Sequence, residues 1–264
     1  GFYDHAEQAI CTRKPLGTSC IASRCNGGSR AARMWFLAKN VVQRGPGGMP
    51  GLLPHVIMVS EFAHRILAPH LPAGCEVHVV PNAIAPPTGA RNEAEKNHGF
   101  LYVGRLSPEK ATFLRAAQLA NVPATICGAG VIESDLRRDF PEARFLGWVS
   151  PDAVAQETRR ARAIVFPSRW YETAGLSAIE AMAVGTPVFV SDVCAAREYV
   201  ERYRGGAVFR QQNEADLARL LQSSDQEIAA WSHDGFNNYA DAPMTMDAHV
   251  ERLRAVYTRA LETR

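Results

Sequence analysis

The sequence predicts an α/β protein whose larger part is a parallel sheet covered by helices on both faces. Short apolar runs rich in Val, Ile and Phe ("FLYV", "ATIC", "RFL", "AIVF", "PVFV") alternate with helical patterns after residue 87. Strands buried on both faces read as unbroken apolar runs, and their alternation with helices marks βαβ units. The length of 264 residues is the second observation, because it allows two units that each bury a core.

Taken in order, residues 1 to 28 are rich in Gly, Ser, Cys and basic residues without a sustained period, and are expected to form a long loop. "SRAARMWFLAKNVVQR" has the pattern of an amphipathic helix with Ser29 as cap and Met34, Leu37 and Val41 on its apolar side, and "GPGGMPG" ends it. "HVIMVS" and "EVHVVPN" are expected strands, joined by a helix capped at Ser60. "NAIAPPTGARNEAEKNHG" combines prolines, glycines and charges with no apolar period, so the domain boundary is placed near Pro87: 1–86 as a first unit, 87–264 as a second. Beyond it, strands at "FLYVGR", "ATICG", "RFLGW", "AIVFPS" and "PVFVSD" are separated by helices at 108–120, 131–139, 151–160 and 175–184. Three helical stretches broken at Pro243 complete the chain, the last of them a candidate to pack back on the first unit.

Composition narrows the function classes. Hydrophobic content of 47% and charged content of 21% are ordinary for a folded chain. A net charge of +2 with scattered arginines argues against a nucleic-acid partner. The longest apolar runs fall well short of the roughly 20 residues of a spanning helix. Six cysteines are present; Cys75, Cys127 and Cys194 fit small buried hydrophobes. Cys11, Cys20 and Cys25 could be loop residues or three of four zinc ligands; no CxxC pair supports metal, and no metal cofactor is expected.

In an open parallel sheet, ligands bind beyond the carboxyl ends of the strands, so the informative residues follow each strand. Arg105, after Gly104, and Lys110 are either solvated charges or a pair of cations beside a helix N-terminus, suited to a diphosphate. Gly128 and Gly130 form a weak turn motif, and Gly147 follows the next strand. The stretch "RWYETAGLSAIEAMAVGTPVFVSD" carries Glu172 before a helix start and Glu180 within the helix. Both could be surface acids, or they could reach different parts of one ligand. Ile179, Ala181 and Met182 beside Glu180 have the character of buried residues, and a buried carboxylate needs a partner.

"VGRLSPEK", "GAG", "FLGWVS" and "PSRWYETAGLSAIEAMAVGTPVFVSD", in that order over about residues 99 to 200, resemble the donor-binding domain of retaining GT-B glycosyltransferases of the glycogen-synthase-like group, with its E-x7-E signature. The resemblance implies a GT-B α/β fold: a complete C-terminal Rossmann-like domain, and in residues 1–86 part of an N-terminal Rossmann-like, acceptor-side domain. It implies transfer of a sugar, with retention and without a protein nucleophile, from a nucleotide-diphosphate sugar (UDP or GDP) to a glycan, lipid-linked saccharide or polysaccharide acceptor. Arg105 and Lys110 would hold the diphosphate and stabilise the departing charge. Glu180 would accept from the ribose, Glu172 would face the sugar, and the amides of Ala174, Gly175 and Leu176 would serve sugar and phosphate. Leu146, Gly147, Trp148 and Val149 would border the base, with Gly104, Gly128 and Gly130 completing the donor site.

Bacterial polysaccharide biosynthesis, a cytoplasmic setting and peripheral association with the inner face of the membrane are the corresponding expectations. Many relatives carry Phe where Ala174 stands, and His5, His55 and His64 have no motif support as the histidine often found near the donor sugar. The other reading is a truncated nucleotide-sugar-binding module without transferase activity alone.

Overall fold

The computed structural model describes residues 3–4, 9–11, 13–14, 16–23, 29–85, 88–107, 110–168 and 174–262. By their contacts they fall into two units: one of 1–58, 64–79 and 256–264, the other of 59–63 and 80–255.

In the first unit, β1 (Tyr3–Asp4) pairs antiparallel with β2 (Ala9–Ile10), and α1 (Thr18–Ala22) follows. The long loop expected over residues 1–28 is therefore corrected: elements of two and five residues are too short to imprint a period on the sequence. α2 (Arg30–Arg44) begins where expected, with Ser29 Oγ accepting from the Ala32 amide at 3.2 Å. Its apolar side does not pack as the pattern suggested, since no residue of α2 is buried and Met34, Trp35, Val41 and Val42 are exposed. β3 (His55–Met58) and β4 (Glu76–Val79) pair in parallel, and α3 (Glu61–Leu67) lies between them in the chain. Ser60 caps α3 through the Ala63 amide at 3.0 Å. Cys11 and Cys20 are buried, but among the described residues neither belongs to a group of three metal-ligand atoms, and Cys25 lies outside those residues.

The second unit contains β5 (Phe100–Val103), α4 (Ala111–Ala120), β6 (Ala124–Cys127), α5 (Glu133–Asp139), β7 (Arg144–Gly147), α6 (Pro151–Arg160), β8 (Ala163–Phe166) and α7 (Leu176–Ala183). It continues with β9 (Val188–Ser191), α8 (Ala196–Tyr203), β10 (Gly206–Phe209), α9 (Glu214–Leu221), α10 (Asp225–Asp241) and the first turns of α11 (Met246–Glu262). The strands form one six-stranded parallel sheet ordered β10-β9-β8-β5-β6-β7. Renumbered from β5 this is 3-2-1-4-5-6, the doubly wound order, whose direction of winding reverses between β5 and β8. Both faces are covered. One apolar cluster, with Phe100, Phe113, Phe189 and Leu217, lies on one side, and a second, with Leu101, Ile164, Ile179 and Tyr203, lies on the other. Every residue of β8 and β9 is buried, which explains their unbroken apolar sequences.

Candidate functional site

The loops that follow β5, β6 and β7 are stitched together by backbone bonds. The Gly104 amide donates to the Cys127 carbonyl at 2.9 Å, the Gly128 amide to Gly147 at 2.8 Å and the Leu106 amide to Ala129 at 3.0 Å. The Tyr102 hydroxyl donates to the Arg105 carbonyl at 2.9 Å, which fixes the turn that presents Arg105. Glycine is required at this seam. Gly128 has φ of +149°, and a Cβ there would stand 1.9 Å from the Gly104 carbonyl oxygen.

Beyond these strand ends lies a cavity of about 620 Å³, walled by Gly104 and Arg105 after β5, Cys127 and Gly128 at the end of β6, and Trp148 and Val149 after β7. α7 contributes Ser177, Glu180 and Ala183 to the wall, followed by Val184. These positions recur at helical spacing and so share one face. α6 adds Pro151, Val154, Ala155 and Thr158 by the same periodicity, and Ile84, Ala85 and Thr88 complete the rim. The cavity therefore joins the end of β5 to the helix after β8, where the winding reverses.

Arg105 is exposed toward this space. Glu180 also opens on it, although Ile179, Ala181 and Met182 are buried as their sequence suggested. Partial removal from water holds the Glu180 carboxyl above the ordinary glutamate range. Cys127 on the floor is pushed up to about 11, first by burial and then by the Glu157 charge; at neutral pH it is a protonated thiol and no nucleophile.

Lys110 stands elsewhere. It immediately precedes α4, is buried, and its Nζ donates to Ser168 Oγ at 3.1 Å while lying 5.1 Å from the centre of the Tyr102 ring. Ser191 Oγ donates to the Ser168 carbonyl, so Lys110, β8's end and β9's end form one polar cluster. Gly175 is the N-cap of α7 with φ of +58°, and a Cβ there would meet the Ala196 side chain at 2.7 Å. That residue must be glycine for the packing of α7 beside α8 as well as for the turn. Ala174 and Leu176 flank it, half-buried.

Leu146 packs against the core, and Trp148 is 90% exposed at the cavity mouth. Among the described residues Gly130, Leu146, Gly147, Lys110, Ala174, Gly175 and Leu176 are not on the cavity wall. A Cβ on Gly130 would stand 2.0 Å from the Leu106 carbonyl oxygen, a packing reason for that glycine. Glu172 lies outside the described residues.

The sequence model described as "Glycosyl transferases group 1" matches residues 89–224. The chain belongs to the glycosyl transferases group 1 family. This group 1 chain is 31% identical over 175 residues to a glycogen synthase of Mycobacterium tuberculosis, covering 60% of the chain and 42% of that protein. It thus spans less than half the length of that relative. Among solved structures it resembles a sucrose-phosphate synthase from Thermosynechococcus elongatus, with a TM-score of 0.68 at 20% identity over 93% of this chain and 65% of that one. It also resembles Anabaena HepE in complex with UDP and glucose, with a TM-score of 0.67 at 18% identity over 89% and 68%. At such identity the likeness is one of fold, and the fold is the expected α/β GT-B type: a complete six-stranded domain with a smaller two-stranded parallel sheet in the other unit. No helix among the described residues is long and apolar enough to cross a membrane.

The cavity positions in this group 1 chain that sequence reasoning missed include Cys127, the rim residues Ile84, Ala85 and Thr88, and the α6 and α7 faces, Thr158 and Ser177 among them. For Thr158 and Ser177, helical spacing with Val154 and Glu180 is the signal that could have found them, once the strand ends fixed which face looks at the cavity.

Proposed function

We propose that the cavity binds the nucleotide of a nucleotide-diphosphate sugar and that the protein is a retaining glycosyltransferase of the glycogen-synthase-like group. The observation that carries this is the convergence of Gly104, Arg105, Gly128 and Glu180 on one cavity at the reversal of winding. Arg105 would meet the diphosphate as a preorganised cation, and Lys110, which lies off the cavity wall and donates to Ser168, would join it in holding the departing charge. The Glu180 carboxylate would accept from the ribose hydroxyls, and Trp148 and Val149 would border the base. The amides around Gly175 would serve the sugar and phosphate, and Glu172 the sugar hydroxyls. The complex of the Anabaena relative with UDP and glucose supports a UDP-sugar as donor.

With no protein nucleophile in the scheme, the acceptor hydroxyl attacks the anomeric carbon on the face the diphosphate leaves, and its proton passes to the departing phosphate oxygen. The acceptor would be a saccharide, lipid-linked or free.

Calorimetric titration with UDP, GDP and ADP tests the donor site. One nucleotide should bind, and Glu180→Ala should weaken it by about tenfold or more, the loss of a charged hydrogen bond being worth roughly 1.5–3 kcal/mol. Unchanged affinity in the variant would remove Glu180 from the site.

A further inference from the structure

We propose that His55, Glu76 and His78, on one face of the two-stranded sheet in the first unit, bind a divalent transition-metal cation of the zinc class. The register of the parallel pair sets His55 opposite Glu76 and Ile57 opposite His78. Two residues along a strand return to the same face, so His78 joins Glu76 beside His55.

The donor atoms converge. His55 Nδ1 and His78 Nε2 are 3.1 Å apart. Glu76 places Oε2 3.8 Å from His55 Nδ1 and Oε1 3.9 Å from His78 Nε2. All three ligand atoms lie within 4.8 Å of one another. Around a tetrahedral zinc, ligands at about 2.1 Å stand about 3.4 Å from each other. The observed separations bracket that figure, so small rotations of three side chains seat an ion.

The chemistry of the donors selects the ion. Two imidazoles and one carboxylate suit zinc and its neighbours in the first transition row; magnesium and calcium want oxygen throughout. Three protein ligands leave a fourth position for water. The imidazole side chains are only 12% and 14% exposed and the Glu76 side chain 34%, so the ligands are largely shielded while the carboxylate edge stays reachable. Arg259 donates from Nε to Glu76 Oε1. That bond holds the Glu76 carboxylate beside the two imidazoles, and a hydrogen bond of this kind orients a ligating carboxylate.

Without a metal the same residues would be two stacked imidazoles, ring centres 5.4 Å apart, sharing one hydrogen bond between Nδ1 of His55 and Nε2 of His78, beside an Arg–Glu bridge. A bound cation would do more: it would clip β3 to β4. Two strands of four residues each make a sheet with little stability of its own.

Titration of the metal-stripped 264-residue chain with cobalt and then zinc decides the matter. Binding of one cobalt should give the visible ligand-field bands of a tetrahedral nitrogen–oxygen site without the near-ultraviolet sulfur-to-cobalt band, and zinc should displace it. His78→Ala and the more conservative Glu76→Gln should each weaken zinc at least about 100-fold, the upper range for loss of even an outer partner. A variant with serine at Cys11, Cys20 and Cys25 should keep wild-type affinity. Zinc should also raise the melting temperature of wild type in a concentration-dependent way, as any ligand of the folded state does. A sulfur band, binding that survives Glu76→Gln, loss of binding in the serine variant, or no binding by wild type would each overturn the proposal.

Discussion

Glu180 shows what a single side chain can reveal at the site. Its carboxyl is held above the ordinary glutamate range by desolvation, so the folded chain keeps a proton that the unfolded chain has already released. Stability then falls as pH rises from the ordinary glutamate range through the raised one, because the folded state binds more protons in that window. Glu180→Gln removes this dependence. The melting temperature of the variant should gain on wild type as pH rises through the window, and the difference should stay constant above it; a difference independent of pH would contradict the desolvated carboxyl. Cys127 offers a second residue-scale test. With its thiol pushed up to about 11 and only 3% of its surface exposed, it should resist alkylation at pH 7 while the half-buried Cys75 reacts, as peptide mapping after a timed iodoacetamide pulse would record. Arg105 was legible in the sequence because it follows a strand; Cys127 looked like any small core residue, since facing a cavity leaves no mark on a strand's apolar pattern.

Among the elements, those with a cap and a period were legible. Ser150 caps α6 through the Ala153 amide at 3.3 Å, and the helix covers Pro151–Arg160 as its sequence predicts. β10 and α8 escaped notice: "GAVF" opens on a glycine and is identified by its neighbour β9, whereas "AREYVERY" does carry a helical period, Ala196, Tyr199, Val200 and Tyr203, all buried, and was legible though not read. α2 shows the opposite failure, an apolar pattern that is not buried. Two substitutions test how the elements hold. Phe189 on β9 is fully buried between Phe100, at 6.2 Å between ring centres, and Trp231, edge-on at 5.5 Å. Phe189→Ala should cost about 3–5 kcal/mol in denaturant unfolding, and a loss below about 1 kcal/mol would deny this contact its place in the core. Gly128→Ala should cost about 2–6 kcal/mol, from roughly 1–3 each for backbone strain and overpacking, because its Cβ would collide with the loop after β5. Wild-type stability in that variant would mean that the loops after β5 and β6 are not in contact.

At the scale of the whole molecule, alternation of strands and helices made a parallel sheet legible, but not the order of its strands. Order is settled by which crossover passes over which face. After β7 the chain returns across β5 to lay down β8 on its far side, and no local pattern records that step. The reversal matters because it opens the cavity, so the ligand should couple to the six-stranded unit as a body. Every wall residue of the cavity belongs to that unit. A ligand present at about 100 times its dissociation constant stabilises the state that binds it by about 2.7 kcal/mol. Hydrogen exchange with and without saturating UDP should therefore slow the most protected amides of β5, β6, β8 and β9 by about 100-fold, since their exchange requires opening of the unit that holds the ligand. Amides of β3 and β4, which lie in the other unit, should show no comparable change. Protection concentrated in β3 and β4 would place the nucleotide outside the cavity. Equal slowing in both units would mean that they open together, with the boundary between them carrying no thermodynamic weight.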